Sequence, residues 1–257
     1  MCTLPTLGIA PSATNTLMIT AKEIDELNIR LSNSEPKDII QQVSVLWPKL
    51  CISFSGAEDV ALIAMATKLI DKPAIFTLDT GRLHPQTYEF IESVRRHYKL
   101  PIETLHPDSD RLGQLIQDKG LFSFFEDGHE ECCRIRKLEP LRNKLATVDA
   151  WITGQRRDQS PTRSDVPVVQ LDRSFSSAEH PVIKINPLAN WSSEDVWNYI
   201  RLFDVPYNKL HDAGFISIGC EPCTRAVGPN QHEREGRWWW EEATIKECGL
   251  HRNNIED

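Results

Sequence analysis

A chain of 257 residues can bury one large core without help from disulfides, and 40% hydrophobic with 26% charged residues is the composition of an ordinary soluble domain. No apolar run approaches the ~20 residues that cross a bilayer, so no membrane partner is expected. A net charge of −8 excludes broad electrostatic binding to nucleic acid, and an anionic ligand must therefore be met by a local basic cluster.

Residues 1–20 are rich in Thr, Ser, Ala and Pro and lack the basic start and apolar run of a secretory signal, which predicts a loose tail in a cytoplasmic protein. From Ala21 to Lys49, apolar residues at helical spacing interrupted by Pro36 predict two short helices. Leu50 to Phe54 is a β-prone run. The Ser55-Gly56 turn follows it, and Glu58 to Ile70 then carries Val60, Leu62, Ile63, Ala66 and Leu69 as an amphipathic helix. The unit repeats, with a strand over Ala74 to Leu78, a turn at Asp79-Thr80-Gly81, a helix over Gln86 to Tyr98 and a strand over Pro101 to Leu105. Further strands are expected at Ala150 to Thr153 and Val182 to Ile185, and Ser192 is the N-cap of a helix through Val196, Trp197 and Ile200. This alternation implies an α/β fold, a parallel twisted sheet flanked by helices, with ligand groups gathered at the carboxyl ends of the strands. From Tyr207 onward periodicity is poor, which predicts a loop-rich C-terminal segment within the same domain.

Ser53-Phe54-Ser55-Gly56-Ala57-Glu58-Asp59-Val60 joins a strand to a helix start, where free N–H groups and the helix dipole favour an anion. It lacks the Lys-Ser/Thr ending of a Walker A loop. Local sequence leaves an anion seat and a plain tight βα turn equally open. Seven cysteines without an export signal read as metal ligands and reactive thiols. Cys132-Cys133 and Cys220-Glu221-Pro222-Cys223 form a two-plus-two set that suits zinc or an iron–sulfur cluster, and spacing does not separate these. Cys2 falls in the tail, and Cys51 behaves as a small hydrophobe in a strand. Basic candidates for an oxyanion are Arg156, Arg157 and Arg163, which follow a strand.

Four sets of residues together resemble one family. Ser-Gly-Ala-Glu-Asp-Val at 55–60 is similar to the pyrophosphate loop of the adenine nucleotide α-hydrolase superfamily, altered as in its phosphosulfate reductase branch, and Leu78-Asp79-Thr80-Gly81-Arg82 is similar to a nucleotide-holding segment there. Cys132-Cys133-Arg134-Ile135-Arg136-Lys137 with Cys220-x-x-Cys223 resembles the cluster signature of assimilatory adenylyl-sulfate reductases, and Glu247-Cys248-Gly249-Leu250-His251 resembles the segment carrying their nucleophile. The resemblance runs from about Leu50 to His251.

It implies that residues 21–219 form the phosphosulfate reductase domain and that 220–257 carry cluster ligands and nucleophile. By the same resemblance, Cys132, Cys133, Cys220 and Cys223 hold a [4Fe–4S] cluster, and Cys248 is catalytic. Ser55, Gly56, Leu78, Asp79, His129, Lys137, Arg163, Arg234 and Arg237 are expected to bind adenosine 5′-phosphosulfate. The implied reaction yields sulfite and AMP through an S-sulfocysteine resolved by thioredoxin or a glutaredoxin-like reductant, in sulfate assimilation towards cysteine. The reductant is expected to be a separate protein, and a homo-oligomer is consistent with the resemblance. The rival readings are a 3′-phosphoadenylyl-sulfate reductase, an ATP-dependent tRNA sulfur-transfer enzyme and a zinc-binding or redox-sensing module. Three consecutive tryptophans, Trp238 to Trp240, cannot all face one core, so at least one should be partly exposed.

Overall fold

The computed structural model describes residues 20–228, 231 and 233–241. Helix α1 (Ala21–Leu31) opens with a capping box in which Thr20 and Glu23 satisfy each other's backbone N–H, and α2 (Pro36–Leu46) begins at the proline that ends the first apolar stripe. Strand β1 (Leu50–Ser53) leads into α3 (Val60–Ala66), followed by β2 (Ala74–Leu78), α4 (Pro85–Tyr98) and β3 (Glu103–Leu105). After α5 (Ser109–Lys119), α6 (Glu130–Cys133) passes through a π-helical stretch, Arg134–Leu138, into α7 (Glu139–Leu145). Strands β4 (Ala150–Ile152), β5 (Val169–Leu171) and β6 (Ile183–Ile185) then precede α8 (Ser193–Leu202). Ser192 caps α8 as its sequence predicts: its hydroxyl accepts from Asp195 N at 3.1 Å, and Asp195 reaches back to its N–H at 2.8 Å.

The six strands lie in the order β3-β2-β1-β4-β6-β5. All neighbours are parallel except β5, which pairs antiparallel with β6 at the edge. The expected parallel sheet flanked by helices is thus present, with one antiparallel strand added at its edge. A three-residue edge strand has no periodicity of its own to read, because its pairing is set by β6. Asn28 of α1 covers this strand, its side-chain oxygen accepting from the N–H groups of Val168 at 2.9 Å and Val169 at 3.2 Å.

Side chains alternate across the sheet and build two cores. Ile52 of β1 is in register with Ile75 and Ile152, and all three point into the larger core with α1, α2, α3 and α8. Cys51, Phe76 and Trp151 point the other way, onto Leu141 and Leu145 of α7. Burial pushes the Cys51 thiol up to about 12, in keeping with an inert core residue. Helix α3 differs from the expected amphipathic helix over 58–70: it ends at Ala66, every one of its residues is buried, and Leu69 lies exposed beyond its end. It is a central helix enclosed on all sides. Helix α5 has no sequence forecast because Leu115 is its one buried residue, leaving little apolar stripe to detect.

Among the described residues, none of the helices is long and apolar enough to cross a membrane. After α8 the described chain holds just 3₁₀ turns at Lys209–Ala213 and Glu221–Cys223, tied to the core by bridges such as Leu83 to Cys220. Because α3 has no solvent-facing side, Ile63→Ala should cost about 2–5 kcal/mol in urea unfolding, several times what the same change costs at the exposed Ile29.

Candidate active site

Strand order reverses at β1, with β2 on one side and β4 on the other, so the loops leaving the carboxyl ends of β1 and β4 diverge and open a crevice. The crevice is a cleft of about 150 Å³. Ser55, Gly56 and Asp59 of the β1 loop line it, as do Thr153, Gly154 and Gln155 after β4, Leu78 and Thr80 after β2, and Ser217 to Cys220 with Glu233, Arg234 and Arg237 from the C-terminal segment. Four cations converge on it: Lys137, Arg163 and Arg237, all largely buried, and the half-buried Arg234. An acidic chain has therefore gathered positive charge at one point, as an oxyanion ligand requires.

The β1 loop is closed by its own carboxylate. Asp59 accepts from the N–H of Gly56 at 2.7 Å and of Ser55 at 3.1 Å, while burial pushes its carboxyl up to about 6 against those two bonds. Gly154 is required opposite, since a Cβ there would overlap the Asp59 carboxylate. Arg156 is completely buried and pairs with Glu58 of this loop and with Glu233, at 3.5 Å, of the C-terminal segment. Burial pushes the Glu233 carboxyl up to about 7, opposed by Arg156. Gly219 lies flat against Arg237, where a Cβ would strike the guanidinium.

Beside the cleft, Cys132, Cys133, Cys220 and Cys223 line a second cavity of about 10 Å³ with Arg82, Phe124, His129, Arg136 and Lys137. None of the four is in a disulfide. A π-helical stretch, Arg134–Leu138, follows directly after Cys133. Thr80 Oγ1 lies 3.2 Å from Cys220 Sγ, and Arg136 donates to Thr80 O at 2.6 Å. Burial, reinforced by Cys220, pushes the Cys223 thiol up to about 12, with Lys137 and Arg237 opposing it. Nη1 of Arg82 and Nε of Arg136 and Arg237 are buried with no acceptor among the described residues.

The four cysteines line one cavity and could hold a metal centre. Among the described residues, one trio of ligand-type atoms lies mutually within 4.8 Å, that of His129, Glu130 and Glu241.

Of the residues expected to bind substrate, Ser55, Gly56, Leu78, Lys137, Arg163, Arg234 and Arg237 share the cleft. Asp79 does not line it; its carboxylate accepts from Gly81 N at 2.8 Å and Tyr88 OH at 2.7 Å and so holds the turn after β2. His129 lies in the cysteine cavity, stacked on Trp238. Cys248 and Cys2 fall outside the described residues. The structure adds Thr80, Gln155, Gln159 and Glu233 to the cleft. Glu233 directly precedes Arg234, an expected substrate ligand, but nothing local marks a carboxylate that will be buried.

A phosphoadenosine phosphosulfate reductase domain matches residues 49–226. An adenosine 5′-phosphosulfate reductase of Pseudomonas aeruginosa (strain LESB58) is 58% identical over 235 residues, 91% of this chain and 88% of that protein. A chloroplastic 5′-adenylylsulfate reductase 1 of Arabidopsis thaliana is 51% identical over 263 residues; the match takes in 100% of this chain and 56% of that longer protein. Among solved structures, a phosphoadenylyl-sulfate reductase of Candida auris in a phosphate complex superposes with a TM-score of 0.67 at 28% identity, covering 82% of this chain and 99% of that one. With its cleft at the β1/β4 crevice and its sequence matched over most of its length, the chain belongs to the phosphoadenosine phosphosulfate reductase family.

Proposed function

We propose that the protein is an oxidoreductase that reduces adenosine 5′-phosphosulfate to sulfite and AMP, in sulfate assimilation towards cysteine. The observation that carries this reading is the shared wall between the two cavities: Lys137 and Cys220 line both the cationic cleft and the four-cysteine cavity. The similarity to relatives named adenosine 5′-phosphosulfate reductase supports that nucleotide as substrate.

In this reading Cys132, Cys133, Cys220 and Cys223 hold a [4Fe–4S] cluster, which supplies a fixed charge centre beside the substrate rather than electrons. Arg163, Arg234, Arg237 and Lys137 bind the phosphate and sulfate oxygens, and the arginine forks suit such oxyanions. The Cys248 thiolate attacks the substrate sulfur, so that an S–S bond forms as the S–O bond to phosphate breaks and AMP leaves with the electron pair. The cleft cations stabilise the charge that builds on the departing phosphate. A dithiol protein of the thioredoxin or glutaredoxin class then attacks Cys248 Sγ, sulfite departs, and the second thiol of that protein closes its disulfide and frees Cys248. The dithiol provides the two electrons. Such chemistry fits the reducing cytoplasm.

With thioredoxin supplied, sulfite release from adenosine 5′-phosphosulfate should exceed release from the 3′-phosphorylated nucleotide by at least tenfold; equal rates would refute the substrate choice. Intact-mass analysis should find the sulfonate adduct on wild-type protein and none on Cys248→Ser. Anaerobically purified protein should contain iron and sulfide in equal amounts, and Cys220→Ser should lose both along with the visible charge-transfer absorption. Because a side chain at 219 would displace the Arg237 guanidinium, Gly219→Ala should raise KM for the nucleotide by about tenfold or more while leaving the iron content unchanged.

A further inference from the structure

Glu241 is the last described residue before the stretch that contains Cys248, and it is held at several points. One carboxylate oxygen accepts the backbone N–H of His129 at 3.1 Å, and the other bonds His129 Nδ1 at 2.6 Å. The Glu241 N–H donates to Trp238 O at 2.8 Å. His129 is buried and stacks on Trp238, also fully buried, with ring centroids 4.1 Å apart. Trp238 has φ of +41°, a left-handed conformation that a bulky residue adopts only where its surroundings impose it. Its N–H donates to Cys223 O at 3.1 Å, and the Arg237 guanidinium lies 4.5 Å from its ring centroid. The chain is thus bent at one forced residue and pinned three residues later.

Glu130 lies close enough to join His129 and Glu241 as a set of ligand-type atoms. A His–Glu pair already in contact at 2.6 Å is a direct hydrogen-bonded tie, too close to be two ligands of one ion. Seven positions separate Glu241 from Cys248, a span of at most about 25 Å of extended chain. A fixed root at that distance raises the effective concentration of the thiol over the cleft, and a small misplacement of a reacting group is costly.

We propose that Glu241 is a positioning residue: through His129 it fixes the root from which the Cys248 segment departs. The inference rests on Cys248 being the nucleophile. Its test is single-turnover formation of the Cys248 sulfonate by holoenzyme at saturating adenosine 5′-phosphosulfate, with AMP affinity and visible absorption recorded alongside. Glu241→Ala should slow adduct formation by about tenfold or more, with AMP affinity and absorption within about twofold of wild type. Glu241→Gln, which keeps an acceptor for the His129 N–H, should recover most of the rate. Adduct formation by Glu241→Ala at the wild-type rate would overturn the inference, and so would a rate loss matched by an equal loss of AMP affinity or absorption. A wild-type protein that forms no adduct would instead overturn the assignment of Cys248.

Discussion

The contact on which the cleft depends is the ion pairing of Arg156. This guanidinium is fully buried and lies between Glu58, in the loop after β1, and Glu233, in the segment that brings Arg234 and Arg237 to the cleft. Removing one partner of such a buried pair typically costs about 3–5 kcal/mol, since the remaining charge is left without compensation. The C-terminal segment has no helix or strand of its own among the described residues beyond short turns. Its placement over the sheet therefore comes from ties like this one and the Leu83 to Cys220 bridge, whereas the α/β core is held by burial.

Burial holds the Glu233 carboxyl up at about 7, opposed by Arg156, and the second carboxylate on the same guanidinium, Glu58, adds to the rise. The same economy of charge runs through the cysteine cavity. There Arg82, Arg136 and Lys137 stand beside four thiols, and burial and its cationic neighbour Arg136 both pull the Arg82 pKa down while the thiols pull it up. Cationic side chains with orphaned donors are unfavourable there alone, and burial pushes the Cys223 thiol up.

The parts legible in the sequence were those whose chemistry is local. The β1 loop, the two cysteine pairs and the Ser192 cap each announce themselves within a few residues, and the strands β1, β2, β4 and β6 do so because buried parallel strands are continuous apolar runs. What was not legible depends on partners distant in the chain. The direction of β5 is decided by β6, the burial of Glu233 by Arg156 77 residues away, and the place of His129 by Glu241 112 residues away. Asp79 sits in a segment expected to hold nucleotide, yet its carboxylate is spent on the turn itself, since Asp side chains readily bond the N–H two residues on.

The β1 loop ties these threads to substrate choice. Its N–H groups at Ser55 and Gly56, the donors that such a turn offers to a phosphate, are both engaged by Asp59, and Gly154 gives that carboxylate the room it needs. A turn whose donors are held internally has less to give a pyrophosphate chain, so binding of an anion shifts to side chains that stand further along the crevice. Those side chains are Arg163, Arg234, Arg237 and Lys137, the last of which also lines the cysteine cavity. The cleft is consequently weighted towards a ligand whose negative charge is met by charged side chains more than by the backbone of the β1 loop.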